Sequence, residues 1–148
     1  MDDELINIRI AIDFDGTIVE HAYPEIGKEK LFAFETLREL QKKGFRLILW
    51  TYRTGKELDE AVEFCRQRGI EFYAVNKNYP EEVYDESAGR KIDADIYIDD
   101  RNIGGFPGWS EIWRMLDSGS RKNQQKMEAK YTGSKNIILH GIRRLFRK

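Results

Sequence analysis

The stretch Asn7-Ile8-Arg9-Ile10-Ala11-Ile12-Asp13-Phe14-Asp15-Gly16-Thr17 decides the fold of this 148-residue chain. Ile8, Ile10 and Ile12 recur with period two and Ala11 is small and apolar, so residues 7–12 read as a buried strand that delivers Asp13 to its carboxyl end. Working outward, a polar turn region spans residues 21–27, and Leu31, Phe34, Leu37 and Leu40 then recur at helical spacing until Gly44 stops them. Residues 45–50 read as a second strand. Residues 56–68 form a second helix with Leu58, Ala61, Val62 and Cys65 on one face, ended by Gly69, and residues 71–75 make a third strand. Residues 76–90 lack periodicity and read mostly as loop, residues 95–98 as a fourth strand, and residues 109–116 as a short helix with Ile112, Trp113 and Leu116 inward. This alternation predicts an α/β fold: a mainly parallel, Rossmann-like sheet in a three-layer sandwich with right-handed crossovers.

A chain of this length suits one domain with one core. Hydrophobic residues make up 41% and charged residues 34%, an ordinary balance for a globular protein, and no apolar run approaches the roughly 20 residues of a membrane span. The acidic start Met1-Asp2-Asp3-Glu4 lacks the basic region of a secretory signal, so a cytoplasmic location is expected. A single cysteine, Cys65, excludes an internal disulfide and a multi-cysteine zinc site, and its place on an apolar helical face assigns it to the core. The net charge of -1 conceals a polarity. Residues 118–148 hold nine Lys or Arg against Glu128 alone, which leaves 16 of the 25 basic and 25 of the 26 acidic side chains in residues 1–117. The expected organisation is thus a catalytic domain over residues 1–117 and a basic, partly helical tail over residues 118–148.

In open parallel sheets ligands bind beyond the carboxyl ends of the strands. Asp13 and Asp15 follow the first strand, Thr51 the second, and Asp99 and Asp100 the fourth, while Lys91 precedes the fourth within reach of the same rim. Four carboxylates brought together repel unless a cation joins them. A hard divalent ion, magnesium, suits oxygen ligands better than zinc would, and there is no His or Cys set for zinc. A carboxylate can also act as a nucleophile toward phosphorus, provided that metal and a cation neutralise the phosphoryl oxygens and a second acid moves the proton. Magnesium and Lys91 meet the first need and Asp15 the second. Thr51 offers a hydroxyl and amides to the phosphoryl group, and Gly16 lets the chain turn sharply beside it.

The segments Ile12-Asp13-Phe14-Asp15-Gly16-Thr17, Leu49-Trp50-Thr51, Lys91 and Tyr97-Ile98-Asp99-Asp100 resemble, in order, the four motifs of the haloacid dehalogenase superfamily. The resemblance implies Asp13 as nucleophile, Asp15 as general acid/base and as a metal ligand through its backbone carbonyl, and Thr51 and Lys91 as phosphoryl binders. Asp99 and Asp100 form the metal end; which of the two touches the ion directly is open, with Asp100 direct and Asp99 through water the favoured assignment. Neither gap between motifs has room for a cap domain, so the chain resembles the capless branch, whose open sites accept large substrates or recruit a partner to enclose them. The expected activity is a magnesium-dependent phosphomonoester hydrolase working through an aspartyl-phosphate.

Two other classes compete. A receiver-like phospho-Asp signalling module combines similar residues, but there the acidic pair follows the first strand, whereas here Asp99-Asp100 comes last. A binding protein that uses its basic tail on an anionic partner is the other, and a contact between copies in a homo-oligomer is an equal use for that tail. The substrate, small molecule or macromolecule, is open. Arg53, Arg101 and Asn102 adjoin the site as substrate-selecting groups or exposed salt-bridge partners; Tyr73, Asn76, Asn78 and Tyr79 share the rim; His21 reads as a surface polar residue of the flap.

Overall fold

The computed structural model describes residues 7–117, so the basic tail lies outside the described residues. Its elements run β1 (Arg9–Ile12), α1 (Ala33–Lys42), β2 (Arg46–Leu49), α2 (Gly55–Arg66), β3 (Ala74–Val75), β4 (Ile96–Ile98) and α3 (Trp109–Leu116). The four strands form one sheet in the order β3-β2-β1-β4, parallel throughout. The chain divides into two compact units after Phe106, and α3 belongs to the second, where Trp109, Ile112 and Leu116 are buried.

Strand alternation assigns the two faces of the sheet. Ala11 pairs with Ile48 and Ile48 with Ala74, so these three share a face, where Ile92 packs on them and Trp50, Tyr73, Ala94 and Tyr97 surround them. Ile10, Ile12, Leu47 and Leu49 point the other way and are buried completely or nearly so. Phe34 of α1 and Phe64 of α2 meet edge to face with centroids 5.9 Å apart, and Phe64 meets Phe14 at 6.3 Å. The two helices therefore lie side by side, as successive crossovers of one hand in one direction require. The α/β class and the parallel Rossmann-like sheet are as expected, consistent with a three-layer sandwich. Among the described residues no domain is inserted between β1 and α1 or between β3 and β4, and no helix is long and apolar enough to cross a membrane.

Three readings change in detail. Leu31 precedes α1 and is 76% exposed, because the chain turns into the helix at Phe32 with φ 63° and the buried stripe starts at Ala33. The third strand keeps only Ala74 and Val75 in the ladder, since edge pairing to β2 involves just Ile48 and Leu49. In α3, Trp109 rather than Trp113 is the buried tryptophan. Between β1 and α1, Val19 bridges Asp15 on one side and Glu29 on the other, with Glu20 N–H donating to Lys28 O and Lys30 N–H to Ile18 O. This ribbon presents residues 21–27 as a flap tip.

Ile48 sits on a strand flanked on both sides and is inaccessible to solvent. Ile48→Ala is expected to cost about 2–5 kcal/mol in equilibrium urea unfolding, whereas Leu31→Ala stays within about 0.5 kcal/mol of the parent.

Candidate active site

The strand order reverses direction between β1 and β4, and in open parallel sheets this switch point opens a crevice at the carboxyl ends. Asp13 leaves β1 there, its N–H bonded to Ile98 O at 3.0 Å, and Asp99 and Asp100 leave β4 beside it. One carboxylate oxygen from each of Asp13, Asp99 and Asp100 lies within 4.8 Å of the others. The buried Thr17 hydroxyl ties the group together: it is 3.0 Å from Asp13 Oδ2 and 3.3 Å from Asp100 Oδ1, and it accepts from Asp100 N–H at 3.0 Å. Gly16 must be glycine, because it has φ 87° and a Cβ there would overlap His21 Nε2 and Asp100 Oδ2.

The electrostatics follow from this crowding. Burial and the charge of Asp99 push Asp13 up to about 7, against the opposing Thr17 hydrogen bond. For Asp100, burial works upward, yet hydrogen bonds from His21 and Asp13 hold it below its ordinary value. Asp13 and Asp100 act on each other, raising the first and lowering the second. The crowding disfavours the charged form of Asp13, and the three carboxylates, all oxygen donors, could hold a hard divalent cation.

A cleft of about 540 Å³ opens over the cluster, lined by Asp13, Asp15, His21, Tyr23, Trp50, Thr51, Tyr52, Asp99 and Arg101. Thr51 donates its N–H to Asn76 Oδ1 at 2.8 Å, and its hydroxyl accepts from Arg53 N–H at 3.2 Å, leaving its own proton to donate. Lys91 is not among the lining residues: it is exposed, with Nζ 5.2 Å from the centre of the Tyr97 ring. Arg101 is the cation in the lining. Asn102 bonds Asp99 O at 2.9 Å and Asn76 braces the Arg53 carbonyl at 3.3 Å. Asn78 is engaged by Glu82 and by Asp93 N–H, and Tyr73 lies under Arg46, so these groups shape the loops that bear the site. Cys65 is buried in the core and its thiol is pushed up to about 12 by desolvation, which makes it unreactive.

Two residues acquire places that the sequence reading did not assign. His21 reaches from the flap to set Nε2 2.9 Å from Asp100 Oδ2. Arg53, 1% exposed, forms a bidentate pair with Asp15, Nε to Oδ2 at 2.8 Å and Nη2 to Oδ1 at 2.7 Å. Asp15 therefore lines the same cleft with both carboxylate oxygens engaged by Arg53, and it is not part of the acidic trio. The spacing of Arg53 from Thr51 was the available signal, but its partners come from distant segments.

An α/β protein with an acidic centre at the switch point of a parallel sheet is the class that fold and site define. No family model matches the chain and no curated protein matches it. Its sequence is 57% identical to that of a solved structure, described as a conserved protein from Bacteroides thetaiotaomicron, over 76% of this chain and 92% of that one, with a TM-score of 0.71. The chain belongs to the same family as that conserved protein.

The Asp13 shift gives a pH signature. A carboxyl held near 7 in the folded state and near 3.8 when unfolded favours folding at low pH, and this contribution is lost as pH rises through that window. In metal-free protein, Asp13→Asn should gain stability relative to the parent as pH rises from 4 to about 7, read as a widening difference in melting temperature. A difference constant with pH would show that Asp13 is not so shifted.

Proposed function

We propose that the chain is a magnesium-dependent phosphomonoester hydrolase of the capless haloacid dehalogenase type, acting through a phosphorylated Asp13. The observation that carries this reading is the convergence of Asp13, Asp99 and Asp100 within 4.8 Å at the switch point, beside a second, differently partnered carboxylate on Asp15. Asp13, Asp99 and Asp100 would hold the ion, with the Asp15 backbone carbonyl as a further donor. Bound magnesium supplies positive charge that keeps Asp13 ionised and neutralises phosphoryl oxygens.

Asp13 attacks phosphorus, the bond from phosphorus to the ester oxygen breaks, and that oxygen leaves with a proton from Asp15. Asp15 then takes a proton from water, which attacks the aspartyl-phosphate at phosphorus, releasing inorganic phosphate and restoring the Asp13 carboxylate. Thr17 fixes the nucleophile through its hydrogen bond to Oδ2. The Thr51 hydroxyl and Arg101 supply donors to the phosphoryl oxygens from within the lining. Lys91 serves the same end if its side chain moves from the Tyr97 ring to the cleft. An open cleft of this size with Tyr23, Trp50 and Tyr52 in its lining suits a substrate that extends past its phosphate.

Purified protein should release p-nitrophenol from p-nitrophenyl phosphate with magnesium present and not with a chelator. Asp13→Asn should lower the rate by at least about 10³-fold, and an unaffected rate in that variant would refute the reading.

A further inference from the structure

Arg53 lies at the amino end of α2 with its side chain removed from solvent, and a buried guanidinium is tolerated only where its donors are met. All five of its N–H groups have acceptors. Two go to Asp15, as described. Nη1 donates to Pro24 O at 2.9 Å and to Glu57 O at 3.5 Å, and Nη2 donates to Glu25 O at 2.7 Å. The Phe14 and Tyr23 rings flank the guanidinium carbon at 5.0 and 5.2 Å and fix its plane. One rigid group thus binds the acid of the first motif, two successive carbonyls of the flap tip and the first turn of α2. It has no donor to spare for a substrate phosphate, which removes a direct substrate-selecting role.

We propose that Arg53 is a positioning residue that couples the 21–27 flap to Asp15, so that Asp15 is aimed at the leaving-group oxygen only while the flap is docked. This rests on the phosphatase reading for its catalytic half; the coupling itself stands on the hydrogen bonds alone. The planar fork matters. A lysine at this position would keep the charge but could not hold both Asp15 oxygens and two carbonyls at once. A misaimed Asp15 fails at protonating the leaving oxygen, and that failure depends on the ester. A nitrophenolate leaves without a proton, whereas an alkoxide does not.

The test uses the full chain with Arg53→Lys, Arg53→Gln and Asp15→Asn. In kcat/KM, Arg53→Lys should change p-nitrophenyl phosphate hydrolysis by only a few-fold and lower hydrolysis of an alkyl phosphate such as glycerol phosphate by roughly 10²-fold, with the loss in kcat rather than KM. Equal losses on both esters would overturn the positioning role, since a purely structural defect does not sort substrates by leaving group. Hydrogen–deuterium exchange over residues 20–30 tests the coupling without reference to activity. Exchange should rise in both Arg53 variants and also in Asp15→Asn, whose neutral amide loosens the far end of the same link. A flap unchanged in Asp15→Asn would overturn the coupling. Wild-type protein inert toward every ester would instead refute the phosphatase reading, and the exchange result would still decide the coupling.

Discussion

Three carboxylates share one small volume because two adjacent parallel strands, β1 and β4, each end in aspartate at the point where the sheet's strand order reverses. Like charges at such spacing oppose one another, and partial burial sharpens the opposition. Much of the local structure answers that constraint. Thr17 is buried so that its hydroxyl can serve Asp13 and Asp100 together, Gly16 leaves room for the carboxylate and for His21, and His21 comes from the flap to donate toward Asp100. Asp13 remains shifted upward even so. An arrangement that strains against its own charge and offers three carboxylate donors could hold the cation proposed above.

The second carboxylate of the first motif has opposite surroundings although it is only two residues away. Asp13 faces like charges, while Asp15 faces a guanidinium that is buried more deeply than itself. Such a pair does little for net stability when compared with an apolar packing, but removing either member strands the other charge, at about 3–5 kcal/mol. The division of environments within one turn fits the division of labour proposed above, in which one carboxylate would meet phosphorus and its neighbour would handle protons. It also draws the flap into the site, since the flap tip is held through His21 to Asp100 and through Arg53 to Asp15.

The parts of the fold that could be read from the chain are those set by local periodicity. Ile8, Ile10 and Ile12 alternate, Phe34, Leu37 and Leu40 recur at helical spacing, and these patterns fall on β1 and α1 with small shifts at the ends. Leu31 misleads because a left-handed residue at Phe32 breaks the helical phase, and side-chain spacing carries no sign of backbone handedness. The acidic residues were legible from their places at strand ends. Arg53 was not: arginine is ordinarily exposed, and its burial depends on acceptors at Asp15, Pro24, Glu25 and Glu57 that only the folded chain assembles. Lys91 shows the converse, a side chain near the site in sequence that rests on Tyr97 outside the cleft lining.

The central claim is that Asp13 carries the phosphoryl group, and the direct measurement is acid quenching of the protein during turnover of a phosphate ester with magnesium, followed by peptide mass spectrometry. The account predicts a phosphoryl group on Asp13 that accumulates in Asp15→Asn protein, where the second step lacks its base. Release of phosphate with no label at Asp13 in either protein would contradict it.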